Sequence, residues 1–430
     1  MNPLELAPQT SIERRLSPLE YWHASAGTST RTLDPSRIIT MVLEGEGVLA
    51  HRQLEGALRL VIAANPGLRL RLQGTRHRAR WTGDRAIPPS LRVIENCAWD
   101  SASHCGMEAI EETALTLNPG PGAELLVATG AVTRIILRVH HALMDGTGIL
   151  HFFEELFRAL RCEPLLGTNV CVSDVELMRA FRSTGLRTGG INPIPLTGGA
   201  QGTAFGDVWQ RLTLPARARS NVMGRIAETA ARYAWSFRKD PVRIAVPVDL
   251  RRHVPGLKST MNYASVVYVD LAYGETAQDF RRKLHKRLDE NGEVAHPGIL
   301  ESIRYLPLTW LDRLTGRTPE NYLRRKLIET ILVSNLGTVD VRALSCAQFR
   351  ATNYYCPPVM GNSFITMSTC GDNLNLVVGM PAVYASAGRL EWFMERLRDE
   401  LGRDAQEMPA PRPFSSVLAR QVFQASGRRP

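Results

Sequence analysis

The segment of this sequence with the greatest chemical potential is HHALMDG at positions 140–146. Side chains alternate along a strand, so adjacent histidines at a strand end point to opposite sides, one to packing and one to a cleft. Gly146 permits a tight turn, and the helix that follows has unsatisfied N–H groups that favour negative charge. A base beside donors for an oxyanion suits acyl transfer, in which a nucleophile is deprotonated and a tetrahedral oxygen stabilised.

Other interpretations of these side chains are open. One histidine could belong to the core and the other to the surface, but the complete pattern between a strand and a helix argues against this. His140, His141 and Asp145 could bind a metal ion, but strand geometry separates the histidines and no second ligand cluster is evident, so we predict no metal. Cys370 has no identifiable base, and we interpret it as a buried thiol rather than a nucleophile.

A strand must carry the histidines and a helix must follow them. We predict strands over 124–129 and 133–139 and an apolar helix over 149–160. Further strands are predicted over 68–72, 208–214, 242–248, 263–271, 331–333, 363–369 and 374–378. Further helices are predicted over 48–64, 107–117, 216–237, 277–291, 299–314, 321–330 and 386–401, with Pro307 breaking the fifth of these. This alternation predicts an α/β fold of the two-layer α+β kind.

Composition sets limits on the class of protein. The chain has 430 residues, 44% of them hydrophobic, which suffices for a sizeable core and favours more than one domain. The net charge is +10, but the basic residues are dispersed; we therefore predict no nucleic-acid partner, attraction to an acidic partner being the alternative. Seven scattered cysteines and the lack of an apolar run of about 18 residues predict reduced thiols, a cytoplasmic location and no membrane-spanning helix.

A stretch rich in Gly, Pro, Thr and Ser divides the chain. We predict an amino-terminal lobe over 1–182, a linker or crossover over 183–206, and a carboxy-terminal lobe over 207–407. A flexible tail rich in Pro and Arg is predicted over 408–430.

The segment at 140–146 resembles the H-H-x-x-x-D-G signature of the chloramphenicol acetyltransferase and peptide-synthetase condensation superfamily, with a match at all four fixed positions. Three weaker similarities support it: LSPLEYW at 16–22, PVDLR at 247–251 followed by Asn262, and SNLG at 334–337. The last is similar to the alcohol acetyltransferase and polyketide-associated acyltransferase branch. The D-F-G-W-G segment of the plant branch is absent.

The resemblance implies two similar lobes that form a V around a central tunnel, with His141 at its centre as general base. It implies that His140 is structural and that Asp145 pairs with an arginine, for which Arg251 is the candidate, to shape the loop. Gly146 would let substrate approach the backbone. Tentative substrate-binding residues are Asn335 and Thr369. Some relatives stabilise the oxyanion with a hydroxyl from the second lobe, which Thr366, Ser368 or Thr369 could supply here.

The resemblance also implies a free-standing enzyme that transfers an acyl group from a thioester to an amine or hydroxyl acceptor, in natural-product or lipid biosynthesis. The donor would arrive on a phosphopantetheine carrier protein or on coenzyme A, with no permanently bound cofactor, and the enzyme would be a monomer. The alternative is a non-catalytic module that binds a carrier protein or a small ligand.

Overall fold

The structure is a computed structural model, and it describes residues 11–26, 28, 37–181, 183, 190–216, 221–294, 298–315, 327–359 and 361–402. The predicted tail at 408–430 and most of the predicted helix at 321–330 lie outside these residues. Within the described ranges, no helix is both long enough and apolar enough to cross a membrane.

Fourteen strands are present in the described chain. They are β1 (Glu13–Arg15), β2 (Ile38–Gly47), β3 (Arg71–Gln73), β4 (Arg80–Thr82), β5 (Ser90–Ile94), β6 (Ala123–Ala128), β7 (Thr133–His140), β8 (Asp207–Pro215), β9 (Val242–Asp249), β10 (Ala264–Leu271), β11 (Ile331–Val339), β12 (Phe349–Tyr355), β13 (Phe364–Cys370) and β14 (Asn373–Pro381). The helices of the same ranges are α1 (Pro18–Ser25), α2 (His51–Ala64), α3 (Glu108–Glu111), α4 (Gly146–Leu160), α5 (Asp174–Arg179), α6 (Val222–Trp235), α7 (Ala277–Asp289), α8 (Leu308–Thr315), α9 (Ala382–Ala385) and α10 (Arg389–Gly402).

The strands form three sheets. A five-stranded sheet has the order β12-β2-β7-β6-β5, a six-stranded sheet has the order β10-β9-β11-β13-β14-β8, and a small sheet has the order β1-β4-β3. The pairs β5–β6, β9–β11 and β11–β13 are parallel, and the other pairs are antiparallel. The predicted mixed α/β architecture is confirmed.

Strand β7 carries the double histidine through the middle of the five-stranded sheet, and all eight of its residues are buried. Alternation sends Ile135, Leu137 and Val139 into the main core, whereas Arg134 and Arg138 lie on the opposite face. The two arginines form buried ion pairs with glutamates of the neighbouring strands. A strand covered on both faces is therefore the rigid base from which the site projects.

Helix α4 anchors the other end of the site segment. Its apolar stripe is fully buried, and the members of that stripe are Ile149, Phe152, Phe153, Leu156 and Phe157. Burial of a side chain of this size contributes about 1.5–3 kcal/mol. The loop at 141–145 is thus held between two elements that the core fixes.

Several predicted elements differ from the structure. The helix predicted over 107–117 is only the single turn Glu108–Glu111, because the chain beyond it is irregular and Leu115 and Leu117 enter the core at a spacing of two. The strand predicted over 331–333 continues through the SNLG segment to Val339, with a bulge between Asn335 and Thr338. Strands β1, β2, β4, β5 and β12 were not predicted.

The two halves of the sequence share a sheet. Strand β12 comes from the second half, yet it pairs antiparallel with β2 at the edge of the five-stranded sheet. The lobe boundaries themselves remain a prediction, but this crossover ties the second half to the sheet that carries the histidines.

Candidate active site

His141 is the half-buried histidine of the pair, and it follows the last residue of β7. Its Nδ1 lies 3.0 Å from the carbonyl oxygen of Met144. A carbonyl oxygen only accepts, so we assign the proton to Nδ1. The lone pair is then on Nε2, which is the atom available to act as a base. The backbone N–H of His141 donates to the carbonyl oxygen of Arg37 at 2.7 Å.

Asn262, from the second half of the chain, fixes the backbone of His141. Its Nδ2 donates to the carbonyl oxygen of His141 at 2.8 Å and lies 3.2 Å from the Nδ1 of the same residue. Its Oδ1 accepts from the backbone N–H of Ala264 at 3.0 Å. Because Asn262 is itself buried and satisfied at both ends, it orients the main chain of His141 firmly.

A second histidine, His23, packs against His141, a contact that nothing in the sequence indicated. The ring of His23, on α1, stacks on the ring of His141 with centroids 4.2 Å apart and planes at 30°. His23 is 3% exposed, and its Nδ1 has no hydrogen-bond partner among the described atoms. The guanidinium of Arg37 lies over the adjacent Trp22 ring at 3.9 Å. The LSPLEYW segment leads to His23, but nothing in it reveals a contact 118 positions away.

Burial lowers the pKa of His141 below its ordinary value, and the nearby positive charge of Arg37 lowers that pKa further. The hydrogen bond to Met144 and the charge of Asp145 act in the opposite direction but are smaller. Burial lowers the pKa of His23 still more strongly. Both imidazoles are therefore neutral near pH 7, which is the state that a general base requires.

The carboxylate of Asp145 binds donors other than His141. Its Oδ1 caps α4 by accepting from the N–H of Gly148 at 2.6 Å. Its Oδ2 accepts from Arg251 Nη1 at 2.9 Å and from the N–H of Tyr263 at 2.6 Å. With both oxygens committed to these donors, Asp145 shapes the loop, and Met144 rather than Asp145 binds Nδ1 of His141.

Arg251 is the centre of this arrangement. Its Nη1 contacts Asp145 and also Asp249, at 2.9 Å each. Its Nη2 donates to the carbonyl oxygens of Ser259 at 3.1 Å and Met261 at 2.6 Å. The guanidinium of Arg251 thus joins the loop after β7 to the segment at 259–263, in which Asn262 contacts His141.

His140 serves the local fold. Its Nδ1 accepts from the N–H of Ala142 at 3.1 Å, its backbone N–H donates to the carbonyl of Gly122, and the residue is 7% exposed. The described residues contain no group of three or more His, Cys, Asp or Glu side chains placed to hold a metal ion.

The glycines of the motif allow close packing between the halves. A Cβ at Gly148 would lie 2.3 Å from the carbonyl oxygen of Thr260, which no real structure tolerates. A Cβ at Gly146 would lie 2.9 Å from the Cδ2 of Leu336, the end of a flexible side chain. The stricter requirement is therefore at Gly148, and the neighbour of Gly146 in the structure is Leu336.

The tentative substrate residues lie on the six-stranded sheet. Asn335 is exposed, and its Oδ1 accepts from the N–H of Gly337 at 2.9 Å within the bulge of β11. Thr369 is half-buried on β13, opposite Thr338. The contact that brings β11 to the site is Leu336 beside Gly146. Among the described residues, Asp145 is bonded directly to Arg251, His141 is bonded to the carbonyl of Met144 and to Asn262, and neither Asn335 nor Thr369 is bonded to any of the three.

The other hydroxyl candidates are engaged elsewhere. Thr366 and Ser368 donate to the carbonyl oxygens of Cys356 and Tyr354, so they attach β12 and the residue after it to β13. Cys370 is buried, and burial raises its pKa to about 11. A thiol at that pKa is protonated at neutral pH, which agrees with the interpretation of Cys370 as a buried thiol.

The chain resembles known proteins in its structure rather than in its sequence. No family model and no curated protein matches the sequence. The first condensation domain of the calcium-dependent antibiotic synthetase, in complex with a substrate analogue, is 18% identical, with a TM-score of 0.64 over 93% of this chain and 97% of that one. The starter condensation domain of rhizomide synthetase, in complex with C8-CoA and Leu-SNAC, is 16% identical, with a TM-score of 0.63 over 92% and 95%.

The epimerization domain from the third module of tyrocidine synthetase B is also similar, at 12% identity and a TM-score of 0.57 over 94% of this chain and 98% of that one. At such identities the likeness concerns the fold and leaves the reaction open. The resemblance inferred from the motif at 140–146 is confirmed at this level: the chain has the fold of the condensation domains of natural-product synthetases.

Proposed function

We propose that the chain is a condensation-type acyltransferase that moves an acyl group from a thioester donor to an amine or hydroxyl acceptor. The observation that carries the proposal is the geometry at His141. Its ring is neutral, its Nδ1–H donates to the carbonyl oxygen of Met144, and its main-chain carbonyl accepts a hydrogen bond from Asn262. A positioned base whose Nε2 has no hydrogen-bond partner among the described residues is what nucleophile activation needs.

In the proposed reaction the acceptor's N–H or O–H donates its proton to Nε2 of His141 as its nitrogen or oxygen attacks the thioester carbonyl. The new C–N or C–O bond converts the carbonyl into a tetrahedral oxyanion. Collapse of that intermediate re-forms the carbonyl and breaks the C–S bond. The departing thiolate takes the proton from Nε2, so the free thiol leaves and the neutral base is restored.

Asp145 has a positioning role in this proposal. A relay through Asp145 would need its carboxylate on Nδ1 of His141, but that carboxylate serves Arg251, Tyr263 and the end of α4. We assign Asp145 and Arg251 to holding the loop, and His140 to its packing. Asn335 and Thr369 remain candidates for contacts with substrate, and Thr369 is the candidate hydroxyl for the oxyanion.

The second candidate function is a module that binds a carrier protein or a small ligand without catalysis. The likeness to an epimerization domain keeps other outcomes open, because one fold serves different reactions. The intact base and its support favour catalysis, since a binding module has no need of a neutral histidine with a free Nε2.

The proposal is tested with purified protein, an acyl donor offered separately on coenzyme A and on a phosphopantetheinyl carrier protein, and a panel of amine and alcohol acceptors. Product is detected by mass spectrometry. We expect His141→Ala to lower turnover by about 100-fold or more. The matched control is His51→Ala, an exposed histidine at the start of α2. Full turnover by His141→Ala would refute the assignment of the base, and product from neither donor with any acceptor would favour the binding module.

A further inference from the structure

The small sheet β1-β4-β3 presents a basic face. In its register Arg15 lies directly opposite Arg80, and Arg80 lies directly opposite Gln73. Directly opposed residues share a face, so these three side chains project together. The other face holds Trp81 and Leu72, which are buried in the core. The orientation of the basic face is therefore fixed by the packing beneath it.

This face has more positive charge than its acidic neighbours balance. The carboxylate of Glu13 lies 3.4 Å from Arg80, and both side chains are largely exposed. Within the described chain, the guanidinium groups of Arg15 and Arg78 have no acidic partner. Like charges directly opposite each other destabilise a strand pair. An arrangement that costs stability in the free protein is expected where a bound anion offsets the repulsion.

The same residues surround an open cavity of about 720 Å³, lined among others by Glu13, Arg15, Gln73, Arg78 and Arg80. The cavity is open to solvent and its lining is charged, so it lacks the apolar enclosure of most small-molecule sites, and an anion bound there would be held by the arginines themselves.

The walls of the cavity are held in place. Arg14, between the two strand residues that line it, makes a two-pronged ion pair with Glu20 of α1. The N–H of Leu16 donates to the carbonyl of Ala79 at 3.0 Å, which fastens the end of β1 to the start of β4. Tyr21 accepts from the N–H of Arg76 at 3.1 Å, which holds the turn before Arg78. The site is thus formed before any ligand arrives.

We propose that this face of the small sheet binds the phosphate groups of coenzyme A. A guanidinium group can bind two oxygens of one phosphate at once. The opposed Arg15 and Arg80 provide two guanidinium groups on one surface, and Arg78 lies beside them. The choice of coenzyme A among phosphorylated molecules rests on the proposed acyl transfer. Helix α1 connects the basic face of the small sheet with the candidate active site, because it begins three residues after Arg15 and its His23 stacks on His141.

Isothermal titration calorimetry with coenzyme A and with pantetheine, its phosphate-free part, tests the site. We expect the wild-type protein to bind coenzyme A more tightly than pantetheine. Arg15→Gln and Arg80→Gln should each weaken coenzyme A by about tenfold or more. The control Arg59→Gln removes the same charge from an exposed ion pair on α2 and should leave binding unchanged. His141→Ala should also retain binding, which separates this site from the proposed catalysis.

A melting experiment supplies a second measurement. Because Arg15 and Arg80 repel each other, ligand-free Arg15→Gln should melt no lower than wild type, while the rise in Tm that coenzyme A gives should disappear. Three results would overturn the proposal: equal binding of coenzyme A and pantetheine, a loss with Arg59→Gln as large as with Arg15→Gln, or binding of a phosphopantetheinyl carrier protein without any binding of coenzyme A.

Discussion

Arg251 offers the sharpest test of how the site is held. In the structure its guanidinium is nearly inaccessible and contacts the carboxylates of Asp145 and Asp249 and the carbonyls of Ser259 and Met261. Arg251→Met keeps much of the side-chain volume but leaves Asp145, which is 3% exposed, without its ionic partner. Removing one partner from a buried pair costs about 3–5 kcal/mol. The free energy of unfolding of an ordinary domain is about 5–15 kcal/mol, so this loss would be a large fraction of the stability.

The free energy of unfolding is measured by urea denaturation followed by circular dichroism. Arg350→Met is the control, because Arg350 forms an ion pair with Glu46 at 2.9 Å in which the two side chains are 66% and 69% exposed. An ion pair that exposed contributes about 0–1 kcal/mol. If Arg251→Met costs no more than Arg350→Met, the buried pair does not hold the loop.

A double-mutant cycle assigns the loss to the pair itself. Asp145→Asn should also destabilise the fold, because an amide has only one accepting oxygen and its NH2 group would face either the N–H of Gly148 or the donors of Arg251 and Tyr263. Combined with Arg251→Met, it should cost less than the sum of the two single changes by about 1 kcal/mol or more. Strict additivity would mean that the two side chains act independently, contrary to the geometry.

Three further outcomes follow from the same structure. Because burial lowers the pKa of His141 and the proposed base works in its neutral form, kcat/KM should fall to half of its plateau only at a pH below the ordinary histidine value of about 6.5; a half-maximal kcat/KM above pH 6.5 would contradict this. Gly148→Ala should cost about 1–3 kcal/mol, since its Cβ would meet a backbone carbonyl at 2.3 Å, whereas Gly56→Ala in α2 should be neutral or stabilising. Iodoacetamide should label exposed Cys105 well before Cys370, whose pKa is about 11; equal rates would refute the burial argument.

The parts of the site that are local in sequence were predictable. The pattern at 140–146, preceded by an apolar strand and followed by an apolar helix, gave the strand, the loop and the helix in their correct order. The broken helix around Pro307 is confirmed as a 3₁₀ segment at Gly298–Tyr305 followed by α8. The hairpin of β13 and β14 is confirmed as well. In each case the residues that determine the element lie within it.

The parts that escaped prediction depend on distant contacts. Strand β12 has a mixed burial pattern, and it joins the five-stranded sheet because β2 accepts it across some 300 positions of sequence. The three residues of β1 are too few to show a period, and β4 defines them as a strand. The sequence shows His23 only as a polar residue near a helix end, and its importance follows from its contact with His141 in the folded chain.

The Asp145 cluster shows why the motif alone underdetermines the site. The sequence places Asp145 four positions after His141, which is compatible with a carboxylate that orients the base and with one that shapes the loop. What decides between them is the segment at 259–263, which supplies the N–H of Tyr263 to the carboxylate and Asn262 to the base. Because Arg251 binds that same segment through two carbonyls, the first half of the sequence supplies His141, the proposed base, and the second half holds it in position.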